Sequence, residues 1–261
     1  MNTLPTTLYR YRPLTTYSLA ELASPSIWFS SVGEFNDPFE FQFKIQSLQE
    51  TPENREFVIT SIQDETGMPR ESVEAKLKTY NWDNFRDSIV APQDNLIQAI
   101  RTQGVCCFSA RNDSPLMWGH YAAAHTGFVV GYDTSCFPFM HALPVHYEER
   151  LCSFSIHDMI RRMHECLKQI VTQKGTDWSY EQEFRLINMQ DQVNLAGAID
   201  PAAIKSIYFG AMCTDQNRSL IGRVTSHLRP AFYGAQLDKE RYAIHFQELE
   251  YDPQLKTVGS K

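Results

Sequence analysis

Short β-type runs recur along this chain, and they do so without a helix between each pair. LYRYR at 8–12, IWFSS at 27–31, VCCFSA at 105–110, GFVVGYD at 127–133, PVHYEE at 144–149, EQEFRLI at 181–187, IKSIYFG at 204–210 and YAIHFQELE at 242–250 all read as strands. Helical spacing appears at 14–24, in PLMWGHYAAAH at 115–125, at 154–174 up to Gly175, and near 214–228. Strict strand–helix alternation would build a doubly wound parallel sheet. This irregular mixture predicts an α+β fold instead, a single domain over 1–261 with a mixed, mostly antiparallel sheet core. Residues 49–103 are polar and helical in pattern, broken at Gly67 and Pro69, and read as a helical insertion or lid within that domain.

With 261 residues, 43% of them hydrophobic, the chain has enough apolar surface for a sizeable core without staples. Its formal charge of -7 argues against an extended nucleic-acid surface, because counterion release needs dense Lys and Arg. The opening MNTLPTTLYRYRP lacks the apolar region of a secretory leader, and no run of about 18 apolar residues is present. A cytoplasmic protein without a membrane partner is expected. The six cysteines form no CxxC pair and no regular framework, so reduced, buried thiols are expected and no metal. Cys106 and Cys107, adjacent on a strand, would point to opposite faces.

Four segments carry candidate chemistry. In the first, alternation puts Arg10 and Arg12 on one strand face and Tyr9 and Tyr11 on the other. Two guanidiniums on one face suit a phosphate or carboxylate, or simply mark a solvated edge. In the second, Trp28-Phe29-Ser30-Ser31 leads into Glu34-Phe35-Asn36-Asp37-Pro38-Phe39-Glu40. Asn36, Asp37 and Pro38 form either a plain turn or an acid-and-ring loop of the kind that lines a site.

In the third, Cys107-Phe108-Ser109 precedes a helix capped by Asp113 or Ser114, with Pro115 near its first position. Met117, Tyr121 and Ala124 follow one stripe of this helix, with Trp118, Ala122 and His125 beside it. Such a stripe fits a core, and Trp118 would alternatively wall a pocket for a flat ring. The fourth is Trp178-Ser179-Tyr180-Glu181-Gln182-Glu183-Phe184-Arg185. Read as a strand, it places Glu181, Glu183 and Arg185 on one face, the two acids about 6.6 Å apart at their Cα atoms. That face is either a charged outer surface or a carboxylate pair able to hold a sugar hydroxyl and a developing positive charge.

The order of these segments resembles the bacterial family described as domain of unknown function 2971. The run LYRYRP … WFSSVGEFNDPFEF … CFSARNDSPLMWGHYAAAHTGFVVGYD … WSYEQEFRLI … IYFG, from about residue 8 to 210, carries the resemblance, with FNDPFE and MWGHYA its specific elements. The family name implies no activity. More loosely, the chain is similar to ADP-ribosyltransferases of the Arg–Ser–Glu class, which implies a related sheet core and NAD as substrate. By that likeness Arg10 would hold the dinucleotide phosphates, Ser30 or Ser109 would order the nicotinamide pocket, Glu183 would be the catalytic carboxylate and Glu181 would orient the acceptor. Tyr9, Trp118, Tyr121, Asn36 and Asp37 would complete the lining. The chain lacks the usual aromatic-Ser-Thr-Ser, having only Phe29-Ser30-Ser31 and Phe108-Ser109.

Three functions therefore stand as expectations. The first is an NAD-consuming transferase or glycohydrolase, of the sort that serves as a toxin or in phage defence, acting on NAD or another nucleotide and an unidentified macromolecular acceptor. The second is a metal-dependent nuclease or phosphodiesterase using Asp37, Glu40, Glu181 and Glu183 as oxygen ligands. The third is a non-catalytic module that binds a nucleotide or peptide in an aromatic cleft.

Overall fold

The LYRYR run sets the two-sided character of the fold: Leu8, Arg10 and Arg12 project to one face of their strand, Tyr9 and Tyr11 to the other. The computed structural model describes residues 3–46, 51–79, 100, 103–188 and 195–250. Among these residues the strands are β1 (Thr7–Arg12), β2 (Ser26–Ser31), β3 (Phe43–Ile45), β4 (Gly104–Ser109), β5 (Phe128–Asp133), β6 (Leu143–Pro144), β7 (His146–Glu148), β8 (Cys152–Phe154), β9 (Gln173–Gly175), β10 (Glu183–Asn188), β11 (Leu195–Ala198), β12 (Ile204–Phe209), β13 (Ala231–Leu237) and β14 (Ile244–Leu249). The helices are α1 (Thr16–Ala23), α2 (Pro52–Thr66), α3 (Arg70–Lys78), α4 (Pro115–Tyr121), α5 (Ile156–Arg161), α6 (Met163–Thr172) and α7 (Asp215–Val224). The fold is α+β.

The chain divides into two compact units. The first is Met1–Glu34, Gln103–Tyr147 and Thr176–Lys261; the second is Phe35–Thr102 and Glu148–Gly175. The insertion expected at 49–103 falls mainly in the second unit. Residues 49–50, 80–99 and 101–102 of that region lie outside the described residues.

The first unit is built on one mixed sheet in the order β11-β2-β4-β1-β5-β12-β13-β14, with β10 also on β4 and β6 on β10. Its pairings are antiparallel except β12 with β13, where α7 makes the crossover that a parallel pair requires. One face carries Leu8, Cys106, Phe108, Phe128, Val130, Phe184, Leu186, Ile207 and Phe209, which pack with Leu22 of α1 and Ile221 of α7. The opposite face carries Tyr11 and Val129 against Met117 and Trp118 of α4.

β4 is the pivot of this sheet. β10 pairs along one edge from Gly104 to Ser109. The other edge is shared: β2 holds Gly104 and Val105, and β1 holds Ser109. Continued inward, the two registers would bring β1 and β2 to the same central residues of β4, so they part there. Arg10 fills the fork, its Nη2 donating to the Trp28 carbonyl at 3.1 Å. Glu21 of α1 supplies the counter-charge, 3.6 Å from Arg10 Nη1 and 3.0 Å from Arg12 Nη2. One carboxylate thus serves two largely buried guanidiniums.

The second unit has its own core. Thr51 caps α2 through the Asn54 amide, Pro52 takes the first turn, and Gly67 ends the helix with φ +68. Phe57, Val58 and Ile59 then pack on Val73 and Leu77 of α3. β3 and β8 pair in parallel, with Phe43 against Phe154.

Several local expectations are corrected. The helix from 115 stops at Tyr121, because Ala123, Ala124 and His125 turn left-handed with φ of 48, 52 and 68. The helix expected at 154–174 is two helices broken at Arg162 (φ -134), and its last residues Gln173–Gly175 form β9. WSYE is a 3-10 turn over Thr176–Glu181, so the strand begins only at Glu183. The β13 strand at 231–237 was not foreseen from the sequence.

Charge arithmetic at the fork gives a ranked prediction. Glu21→Gln leaves two buried guanidiniums without an anion and should cost about 3–5 kcal/mol. Arg10→Met removes one like charge together with one carbonyl bond and should cost about 1–2 kcal/mol. Urea unfolding of both variants checks the order.

Candidate functional site

Ser109 ends β4 and Glu183 begins β10, and the two are register partners; Tyr9 of β1 is the partner of Ser109 on the other side. Three adjacent strands therefore set Tyr9, Ser109 and Glu183 side by side. Register partners project to the same face, about 4.5–5.5 Å apart at their Cα atoms. This is the face that carries Tyr11 and α4.

The Glu183 carboxylate is held firmly. Arg185, two residues along the same strand face, donates from Nε to Oε1 at 2.8 Å and from Nη2 to Oε2 at 3.0 Å. Arg185 is fully buried and Glu183 is 4% exposed. A two-point fork of this kind fixes the carboxylate in orientation and in charge. Cys107, the register partner of Arg185, lies beside the pair. Burial, and then the Glu183 charge, push its thiol well above the ordinary range, so it stays protonated.

Glu181 reaches the site by a different route. It closes the 3-10 turn, and Gln182 then adopts φ +45, which separates its direction from that of β10. Tyr121 of α4 donates its hydroxyl to Glu181 Oε1 at 2.7 Å. Ser109 Oγ donates to the Glu181 carbonyl at 2.5 Å and accepts from the Arg111 amide at 3.1 Å. The Ala110 amide donates to the Gln182 carbonyl at 2.9 Å. The two acids thus sit on either side of a reversed residue, both buried, and not on one strand face as the sequence predicts.

Tyr9 is half-buried and meets Tyr208 edge to face at 5.8 Å. Burial, reinforced by Tyr208, pushes its hydroxyl up to about 12, so it is a neutral donor at pH 7. Trp118 is a core residue, fully buried, with Nε1 donating to the Asn112 carbonyl at 2.7 Å and its ring 5.4 Å from Tyr11. The more exposed rings beside Glu181 are Tyr180, Trp178 and His120, with Tyr180 6.2 Å from Trp178 and 6.3 Å from His120.

Two of the other expected residues, Arg10 and Ser30, do not join this row. Arg10 lies on the opposite sheet face, at the β1–β2 fork, and does not join Glu183. Ser30 is the partner of Val105, four residues along β4 from Ser109 on the same face. Asn36 and Asp37 belong to the second unit; Asn36 is exposed, and Asp37 Oδ1 accepts from the Phe39 amide at 2.9 Å, which makes a local turn. Glu40 pairs with Lys174 of that unit at 3.8 Å. Among the described residues, no group of three or more His, Cys, Asp or Glu could hold a metal ion. No helix among them is long and apolar enough to cross a membrane.

One contributor was missed in the sequence. The Tyr147 hydroxyl accepts from the Glu183 amide at 2.8 Å, a contact across 36 residues that leaves no local pattern. The Glu183–Arg185 fork was legible as an i, i+2 pair of opposite charge on a strand.

Comparison with known proteins places one stretch. Residues 117–186 match the family model described as protein of unknown function (DUF2971). The family resemblance drawn from the sequence is borne out there. The matched stretch holds Trp118, Tyr121, Glu181, Glu183 and Arg185; Tyr9 and Ser109 lie before it. No curated protein and no solved structure matches the chain.

The reversal at Gln182 is a strained position for a residue with a Cβ, and glycine adopts it freely. Gln182→Gly should therefore leave the chain as stable or up to about 1 kcal/mol more stable, while the β-branched Gln182→Val should cost at least about 1 kcal/mol. Thermal unfolding of the two variants tests whether this backbone geometry is right.

Proposed function

We propose that the Tyr9–Ser109–Glu183 face is the site of an NAD-consuming enzyme, an ADP-ribosyltransferase or glycohydrolase. The observation that carries this reading is the in-register row of a phenol, a hydroxyl and a carboxylate across β1, β4 and β10, with the carboxylate locked by Arg185. In such a reaction the bond from ribose C1′ to nicotinamide breaks, nicotinamide leaves with the electron pair, and positive charge develops on the ribose. A carboxylate held ionised in a dry setting stabilises that charge and accepts a hydrogen bond from the 2′-hydroxyl. Glu181, held through Tyr121, orients the acceptor, either water or a group on a macromolecule. Tyr180 and Trp178 offer ring faces for the flat leaving group.

This assignment keeps the acids and Ser109 of the ADP-ribosyltransferase likeness and gives Arg10 a structural role. The near-complete burial of Ser109 and Glu183, at 1% and 4% exposure, favours a second reading, a non-catalytic module that binds a nucleotide without turning it over.

Purified chain should hydrolyse or transfer from NAD⁺ in the presence of EDTA. Glu183→Gln should lower kcat by about 10²–10³-fold with the fold intact by circular dichroism. Saturable NAD⁺ binding without release of nicotinamide would support the binding module. Activity abolished by EDTA and restored by Mg²⁺ would replace both readings with a metal-dependent one.

A further inference from the structure

A dinucleotide carries two phosphate charges, and the proposed site holds two carboxylates in a chain of net charge -7. It needs a cation, and neither obvious arginine supplies one. Arg10 is on the opposite face of the sheet. Arg185 is on the right face, but it is fully buried and both ends of its fork are committed to Glu183.

Arg111 stands differently. It follows Ser109 by two residues, and its backbone is anchored to the site from both sides. Its amide donates to Ser109 Oγ at 3.1 Å and its carbonyl accepts from the Tyr11 hydroxyl at 3.1 Å. The next carbonyl, that of Asn112, is held by Trp118 Nε1. The loop is therefore fixed over the Tyr9–Tyr11 face, while the Arg111 side chain is 37% exposed. Its Nε donates at 2.7 Å to Asp113, itself 47% exposed. An exposed pair of this kind contributes little and gives way to a stronger anion. A phosphate offers such an anion, and guanidinium matches it with two parallel donors.

We propose that Arg111 is the phosphate-binding residue of this site, with Asp113 as the internal anion that occupies it when no nucleotide is bound. The inference rests on the NAD-consuming reading and deepens it by assigning the diphosphate contact. Asp113 then acts as a competitor, so that removing it strengthens binding. A purely structural Arg111–Asp113 pair would have the opposite consequence.

The test is titration calorimetry of the full chain with ADP-ribose, beside NAD⁺ turnover. Arg111→Gln should weaken ADP-ribose binding and raise KM for NAD⁺ by about tenfold or more, with kcat held within about threefold. Arg111→Lys should recover part of the loss, since it restores charge without the fork. Asp113→Asn should tighten binding several-fold, a gain that a folding defect cannot imitate. If wild type binds ADP-ribose or turns over NAD⁺ and Arg111→Gln does so equally well, the Arg111 assignment falls and the enzyme reading stands. Weaker binding in Asp113→Asn also overturns the assignment. If wild type neither binds ADP-ribose nor consumes NAD⁺, the enzyme reading falls and takes the inference with it.

Discussion

The candidate site depends on the way β4 is shared. One edge of this strand is fully taken by β10, and the other is divided between β2 and β1. Because alternate residues face opposite ways, Cys106 and Phe108 enter the core under α1 and α7, while Cys107 and Ser109 turn towards α4. A slip of one residue in the β4–β10 register would move Glu183 and Arg185 into the apolar core, at a cost that burial of an unpaired charge makes prohibitive. The apolar partners Phe108 and Phe184, opposite one another in that register, hold it in place.

The sheet separates two buried charge systems. On the α1 face, Arg10 and Arg12 share Glu21, and the arrangement closes the fork between β1 and β2. On the α4 face, Arg185 and Glu183 form a two-point pair, with Glu181 held nearby through Tyr121. The first system is positive on balance and is tied to packing. The second brings two acids to a serine whose hydroxyl is fully directed. That asymmetry is the reason for placing chemistry on the α4 face.

Much of the fold was legible because alternation is a strong local signal. The opposite faces of Arg10 and Tyr9, the divergence of Cys106 from Cys107, the Ser114 cap with Pro115, and the α+β mixture all follow from one-dimensional patterns. Failures arose where a single backbone angle decides. Nothing in TDWSYEQEFR shows that Gln182 takes a positive φ, so Glu181 and Glu183 read as neighbours on one strand. Ala123-Ala124-His125 would continue a helix by propensity, yet the chain turns left-handed there. Close packing supplies the reason: the His125 carbonyl approaches Gly210 so nearly that a Cβ at Gly210 would lie 2.0 Å from it. The face that Arg10 shares with Glu183, or does not, was beyond local reading, since it depends on the pairing of β1 with β4 and β4 with β10 across more than 170 residues of chain.

The central claim is that ligand contacts the Tyr9–Ser109–Glu183 face and leaves the Arg10 face alone. Amide chemical-shift mapping of the isotope-labelled chain with NAD⁺ tests it directly. The account predicts the largest shifts at Ala110 to Asp113 and at Tyr180 to Glu183, with Glu21 and Trp28 unmoved. Shifts concentrated around Arg10, Glu21 and Trp28 would contradict it and return the phosphate contact to the other side of the sheet.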